Sequence, residues 1–179
     1  MARLQPLWTA TSTEDTDEIA AFLQERGIAY ERWTLPQEAR ALAGKDRLSD
    51  SEKARLLQLF RTHLERLADD AGYVEAGVIP IRDAMPGLTD ALAKFDKVHF
   101  HDDDEVRAIG GGRGVFGFIA DDGRQFLLTV EAGDYISVPA GVWHWFYCVD
   151  GRNITCLRLF KDDSGWIPRY RDTTRGVPA

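Results

Sequence analysis

Four side chains in the second half of the chain have the residue types and spacing of a transition-metal site. His99 and His101 form a His-x-His pair, Glu105 follows four residues after His101, and His144 comes after a Gly-containing turn. Imidazole and carboxylate ligands suit iron, nickel, manganese, cobalt or zinc. Four protein ligands leave positions open on an octahedral ion, and open positions are typical of catalytic metal sites. The pattern predicts one divalent ion that takes part in chemistry.

Strand periodicity explains how these four residues can meet. Alternate residues of an extended chain project to the same face, and His99, His101, Glu105 and Arg107 are separated by even steps. His144 lies on a later predicted strand. Two facing strands would aim three imidazoles and one carboxylate at one point, with the Arg107 guanidinium beside them.

Simpler interpretations exist for each of these residues. The histidines could be unrelated surface or core residues, which is what we expect of His63, in a predicted helix without an obvious partner. Arg107 could form an ordinary salt bridge with Asp103 or Glu131. The combination of three histidines and an acid at this spacing favours the metal site.

The elements that would position the site are short strands. Residues after 97 alternate apolar and polar types, which predicts strands at 98–101, 104–109, 114–120, 125–131, 135–138, 142–149 and 153–161. Gly110-Gly111-Gly112 and Asp122-Gly123 are among the predicted turns, since such residues accept a positive φ. Seven closely spaced strands without intervening helices predict an antiparallel sandwich or barrel.

The first ~95 residues have a mixed pattern. A helix is predicted to begin at residues 12–15 and to end at Gly27, and a strand to occupy 28–35 before Pro36. A second helix is predicted from Asp50 to about Ala71, because apolar residues recur there every three or four positions.

Composition limits the possible functions. The chain has 179 residues, 44% of them hydrophobic, and a formal net charge of -7, which suits one folded, soluble domain. An acidic protein is a poor partner for nucleic acid or for anionic membranes. Without a signal-like start or a long apolar run, and with two cysteines only, we expect a cytoplasmic protein with reduced thiols. We also expect a monomer.

Two motifs resemble those of the cupin superfamily. His99-Phe-His101-Asp-Asp-Asp-Glu105, followed by Gly112, resembles the first cupin motif, and Gly133-Asp-Tyr-Ile-Ser-Val-Pro139-Ala-Gly141-Val-Trp-His144 resembles the second. The resemblance implies a mainly β fold, the cupin double-stranded β-helix or jelly-roll barrel, with N-terminal helices packed outside. We expect one domain over 1–179, with a mixed part at 1–95, the metal-binding barrel core at 96–161 and a tail at 162–179.

A narrower resemblance, to the acireductone dioxygenases of methionine salvage, runs through most of the chain. It is carried by Asp104-Glu105-Val106-Arg107, by residues 27–33, by residues 157–160 and by residues 165–167. The resemblance implies an Fe(2+) or Ni(2+) cofactor, with cobalt or manganese as alternatives. Its substrates would be O2 and 1,2-dihydroxy-3-keto-5-methylthiopentene. The iron form would yield formate and 4-methylthio-2-oxobutanoate, and the nickel form formate, carbon monoxide and 3-methylthiopropanoate. It assigns to Arg107 the stabilisation of the doubly deprotonated substrate.

Several other residues near the motifs are candidates for the site. Val98 stands where the family usually has an acidic residue linked to metal incorporation. Asp104 resembles a family residue thought to relay conformational change, although a solvated strand charge is the simpler interpretation. Arg158 could face the substrate or form an ion pair at the edge of the core. The aromatic residues that could wall the substrate tail are Trp143, Trp145, Phe146 and Phe160.

Two other functions fit the cupin motifs. A different metal-dependent cupin enzyme, such as another dioxygenase or a sugar isomerase, could use the same ligands; an isomerase of phosphosugars should have more basic residues near the site. A cupin that only binds a small ligand would not need all four metal ligands.

Overall fold

The computed structural model describes residues 1–73, 75–149, 151–160 and 167–176. The elements in these ranges, in chain order, are β1 (Arg3–Pro6), α1 (Thr16–Gln24), β2 (Ala29–Arg32), α2 (Gln37–Ala43), α3 (Asp50–Leu59), α4 (Arg61–Ala71), β3 (Glu75–Ile81), α5 (Leu88–Phe95), β4 (His99–Phe100), β5 (Glu105–Ile119), β6 (Gln125–Glu131), β7 (Asp134–Val138), β8 (His144–Cys148), β9 (Ile154–Phe160) and β10 (Arg169–Tyr170).

The strands form two antiparallel sheets that share β5. Sheet 1 has the order β1-β6-β5-β8-β4-β10, and sheet 2 has the order β2-β7-β5-β9-β3. The first half of β5 pairs with β7 and β9, while its second half pairs with β6 and β8. The predicted mainly β architecture is confirmed, and one bent strand passes from one sheet to the other.

The predicted turn at Gly110-Gly111-Gly112 is wrong, because these glycines lie inside β5. The strand runs without a break from Glu105 to Ile119, with a register shift between Ile109 and Gly111 where it bends. A Cβ on Gly111 would lie 3.0 Å from the Ala43 Cβ, and one on Gly112 would lie 1.9 Å from the Asn153 carbonyl oxygen. The glycines therefore allow close packing at the bend, and not a chain reversal.

The N-terminal part differs from its prediction in several elements. Between Asp50 and Ala71 the structure has two helices, α3 and α4, separated at Phe60, whose φ and ψ are -95° and 0°. Phe60 is buried and continues the apolar stripe, so the period does not reveal the break. The strand predicted at 28–35 is the shorter β2, and β1, β3, α2 and α5 were not predicted.

In the described part of the chain, buried apolar side chains form three clusters. The largest lies between the two sheets and includes Phe116, Phe118 and Ile136, with α1 contributing Ile19 and Leu23. The second lies between the outer face of sheet 2 and the helices α2 to α4, so that these helices pack outside the strands, as predicted. The third covers the other face of sheet 1. Among the described residues no helix is both long and apolar enough to span a bilayer.

Candidate metal centre

Three strands bring the four predicted ligands together. His99 lies on β4, His101 directly follows it, Glu105 begins β5 and His144 begins β8. His99 and His144 are direct partners in the β4–β8 pair, so the sheet register sets one imidazole beside the other. Each of the four residues is no more than 5% exposed. The two sheets therefore enclose the cluster, and they do not present it on the surface.

The ligand atoms lie close enough to share one ion. One ligand atom from each of the four residues lies within 4.8 Å of all the others. The Glu105 Oε2 atom is 2.9 Å from His101 Nε2 and 3.4 Å from His144 Nε2. The ring centroids of His99 and His144 are 4.5 Å apart. An ion bound among these atoms would have imidazole and carboxylate ligands.

Backbone carbonyls orient two of the imidazoles. The Nδ1 atom of His99 lies 2.7 Å from the Lys97 carbonyl oxygen, and that of His144 lies 2.8 Å from the Val142 carbonyl oxygen. A carbonyl only accepts, so each Nδ1 carries the proton and each Nε2 keeps a lone pair. The buried Nε2 of His99 has no hydrogen-bond partner among the residues that the structure describes. An unpartnered buried acceptor beside a carboxylate fits a metal ion.

Electrostatics favour the metal-binding protonation states of two predicted ligands, Glu105 and His99. Burial by itself would raise the pKa of Glu105, but the Arg107 charge and the neighbouring His101 and His144 rings outweigh it and hold the pKa well below its ordinary value. Burial, together with the nearby His144, lowers the pKa of His99 to about 4. Glu105 is therefore ionised and His99 neutral at pH 7, as metal binding requires.

Arg107 lies beside the cluster on the same face of β5 as Glu105. Its Nη2 atom is 3.3 Å from Glu105 Oε1, and its side chain is buried. Its cross-strand partner on β9 is Arg158, which is half-buried. The Arg107 guanidinium therefore places a positive charge directly beside the Glu105 carboxylate.

A narrow cavity of about 80 Å³ extends from Glu105 and Arg107 between the sheets. Apart from these two residues and Cys156, the wall residues that the structure describes are hydrophobic. The hydrophobic wall residues are Ile79, Ile81, Leu92, Phe95, Ile109, Phe116, Phe146 and Ile154. A partly open space that is charged at one end and otherwise apolar suits a small anion with a hydrophobic tail.

Sequence reasoning identified only part of this wall. Of the predicted aromatics, Phe146 lines the cavity, whereas Trp145 is fully buried in the cluster on the other face of sheet 1 and Trp143 packs against that cluster. Ile79 and Ile81 of β3 and Leu92 and Phe95 of α5 were missed. The helical spacing of Leu88, Leu92 and Phe95 after Gly87 was a usable signal for α5.

Asp104 joins the loop between the ligands to its surroundings. Its carboxylate accepts hydrogen bonds from the Ala140 backbone N–H at 3.2 Å and from the Tyr73 hydroxyl at 3.2 Å. The Gly141 N–H also donates to the His101 carbonyl oxygen at 3.0 Å. Asp104 thus holds the chain before His144 against the chain after His101, and it is not a freely solvated charge.

The remaining predicted residues have structural positions. Val98 is 2% exposed and packs with Val115, Leu127 and Trp145, on the opposite face of β4 from His99. His63 stacks on Trp33 with the ring planes at 4° and the centroids 4.1 Å apart. Both cysteines are free thiols, and burial raises the pKa of Cys148 to about 11. The predicted motif at 165–167 falls mainly outside the described residues, as does the side chain of Phe160.

Comparisons with known proteins agree with this geometry. The model of the ARD/ARD′ family matches residues 9–168. An acireductone dioxygenase of Leptospira interrogans is 43% identical over 167 residues, which cover 93% of this chain and 94% of the relative. One from Bacillus pumilus is 37% identical over 164 residues, with 92% and 93% covered. The solved acireductone dioxygenase of Bacillus anthracis, which has a cadmium ion in its active centre, superposes with a TM-score of 0.88 at 34% identity and covers 95% of this chain and 98% of that one.

Proposed function

The chain belongs to the ARD/ARD′ family, and from this membership we propose that it is a metal-dependent dioxygenase that cleaves an acireductone with O2. The observation that carries the proposal is the buried cluster of His99, His101, Glu105 and His144, whose Glu105 also lines an apolar cavity beside Arg107. This arrangement supports an anionic substrate that has a hydrophobic tail.

We assign the four clustered residues as the ligands of one divalent ion. The bound ion would supply a Lewis acid that orients the substrate oxygens and stabilises their negative charge. His99 and His144 offer Nε2 because their Nδ1 protons are held by the Lys97 and Val142 carbonyl oxygens. Burial of all four ligands excludes bulk water from the reacting atoms.

Arg107 is assigned to the substrate. Three neutral imidazoles and one carboxylate leave about one net positive charge on a divalent ion, so an anionic enediolate is attracted to the site. The Arg107 guanidinium adds a second, permanent positive charge next to Glu105. A fixed charge at this place lowers the pKa of an enediol that binds beside it and favours the doubly deprotonated form. That form is electron-rich, which suits it to react with O2.

The cavity supports the choice of acireductone. Its apolar wall matches a methylthio tail, which favours 1,2-dihydroxy-3-keto-5-methylthiopentene, the intermediate of methionine salvage, as substrate. A sugar isomerase would need polar side chains along the same wall. Because imidazole and carboxylate ligands bind both Fe(2+) and Ni(2+), the products are proposed to follow the metal. Iron would give formate with the α-keto acid, and nickel formate with carbon monoxide and 3-methylthiopropanoate.

The test is aerobic turnover of a synthetic acireductone by apoprotein reloaded separately with Fe(II) and Ni(II). Formate with both metals, and carbon monoxide with nickel only, would support the proposal. Folded and metal-loaded protein that consumes no acireductone with either metal would overturn it. Chromatography and cell fractionation would check two further proposals, that the protein is a monomer and that it is cytoplasmic.

A further inference from the structure

The strand that carries His99 is very short and has a second neighbour in sheet 1. β4 has two residues, and its pairing with β8 consists of the single pair His99–His144. On its other side β4 pairs with β10, with Tyr170 opposite His99 and Arg169 opposite Phe100. The Arg171 N–H extends this ladder by donating to the Val98 carbonyl oxygen at 3.0 Å. Residues 169–171 therefore hold β4 against β8.

Residues 169–176, here called the strap, continue across the face of sheet 1. Gln125 of β6 donates through Nε2 to the Thr174 carbonyl oxygen at 3.1 Å, and its Oε1 accepts from the Gly176 N–H. A Cβ on Gly176 would lie 2.2 Å from a Leu7 methyl carbon, so the end of the strap packs closely on the body of the protein. The strap is attached at both of its ends.

Arg175 connects the strap to the chain directly before the ligand. Its Nη2 atom is 3.1 Å from Asp96 Oδ2, and its guanidinium carbon lies 5.1 Å from the centroid of the Tyr147 ring. Both partners in the ion pair are about one-third exposed, at 32% and 36%. Asp96 precedes Lys97, whose carbonyl oxygen accepts from His99 Nδ1. The ion pair thus fixes the backbone that sets the direction of the His99 ring.

We propose that the strap positions His99 for metal binding and that Arg175, through Asp96, is its positioning residue. The inference rests on the proposed function only in taking His99 as a metal ligand. Without the ion pair, the backbone of residues 96–99 becomes more mobile. Metal binding must then order the His99 ring, and the lost conformational entropy weakens the affinity. Loss of residues that only orient a ligand typically costs about 10–100-fold in metal affinity.

The test is cobalt binding by the full-length apoprotein, followed through the visible absorption of Co(II). Arg175→Ala is expected to raise the cobalt Kd about tenfold and to speed removal of the metal by a chelator. Arg175→Lys keeps the charge and should recover most of the loss. Asp96→Asn gives a second variant that removes the ion pair from the other side.

Arg124→Ala is the matched control. Arg124 also pairs with an aspartate, Asp122, at 2.6 Å, and also lies over an aromatic ring, Trp8, at 4.3 Å, but it is on the turn between β5 and β6. Its cobalt Kd should stay within about twofold of the wild type. Hydrogen exchange of the metal-free protein should show faster exchange at residues 97–101 in Arg175→Ala and Asp96→Asn but not in Arg124→Ala, which reports on β4 without any metal.

The outcomes separate the two proposals. A wild-type Kd in both Arg175→Ala and Asp96→Asn, or an equal loss in Arg124→Ala, would overturn the strap as a positioning element. Wild-type protein that binds cobalt tightly, loses affinity in Arg175→Ala and yet consumes no acireductone would uphold the strap and overturn the proposed reaction. Wild-type protein that binds no cobalt would overturn both.

Discussion

His99 and His144 occupy directly opposed positions on the antiparallel strands β4 and β8, with ring centroids 4.5 Å apart and interplanar angle 57°. Each ring donates its Nδ1 proton to the carbonyl oxygen two residues earlier in the chain. The two imidazoles are therefore fixed by the same local device, and their distance is fixed by the sheet. Glu105 reaches the site from β5, which is also the other neighbour of β8.

Removing a ligand should abolish metal retention and preserve the fold. His99→Ala and Glu105→Ala are each expected to lose more affinity than the roughly 10–100-fold that follows loss of an orienting residue. His63→Ala is the control, because His63 stacks on Trp33 and lies in α4. Metal content after dialysis measures retention of the ion, and circular dichroism shows whether the fold is preserved. A stoichiometric metal content in either ligand variant would remove that residue from the ligand set.

Replacing Arg107 should damage turnover without emptying the site. In Arg107→Ala, kcat/KM for the acireductone is expected to fall about 100-fold or more, since a preorganised charge beside the developing anion is lost. Metal content should be unchanged. Arg113→Ala, on the same strand but exposed and paired with Glu131, should keep activity within about twofold. Undiminished turnover by Arg107→Ala would exclude the residue from the mechanism.

The cavity wall should make the enzyme selective for the length of the substrate tail. Ile81→Phe fills part of the apolar cavity, so kcat/KM for the methylthio substrate should fall about tenfold, which corresponds to one or two methylene groups of lost space. Turnover of an acireductone whose whole tail is a single methyl group should be affected much less. Met85→Phe, at an exposed position, is the control. Equal losses for the two substrates would show that the tail does not occupy this cavity.

The metal-free protein should lose stability as the pH falls from about 6.5 towards 4. The folded-state pKa of His99 is about 4, below the usual value of 6.5, so in this interval the unfolded chain binds a proton that the folded chain does not. From pH 7 to pH 5 the free energy of unfolding should fall by about 2 kcal/mol from this residue. Urea unfolding at the two pH values measures the change. The free energy of unfolding of His99→Gln should depend less on pH. A pH dependence identical to that of the wild type would show that His99 is not the cause.

Packing of β5 against β8 leaves no room for a side chain at Gly117. A Cβ there would lie 2.0 Å from the Trp145 ring, so Gly117→Ala is expected to destabilise the fold by at least ~2 kcal/mol. Gly77→Ala is the matched control on β3, because a Cβ at Gly77 has no atom within 4 Å among the described residues. Denaturant midpoints compare the two. Equal midpoints would mean that Trp145 moves aside at little cost.

Some failures of prediction have a common cause. The glycines at 110–112 have the composition of a turn, yet they lie at a bend inside β5 because α2 and the chain before β9 pack against them. Phe60 continues the apolar stripe through a helix break. In both cases the local pattern is satisfied by two structures, and a contact with a distant segment selects one of them.

The amino-acid sequence by itself determined the chemistry of the site. Residue type decides which atoms can bind a metal, and the two motifs identified the set, so His99, His101, Glu105 and His144 could be named together. The predicted single extended stretch from His99 to Glu105 is wrong, because the chain bends at residues 102–103 and Glu105 begins a separate strand. Only the tertiary structure decided what surrounds them. The cavity wall comes partly from β3 and α5, and Arg175 meets Asp96 across 79 positions of the chain. Such contacts arise when strands from separate parts of the chain pair, and a local pattern contains no information about which strands will be neighbours.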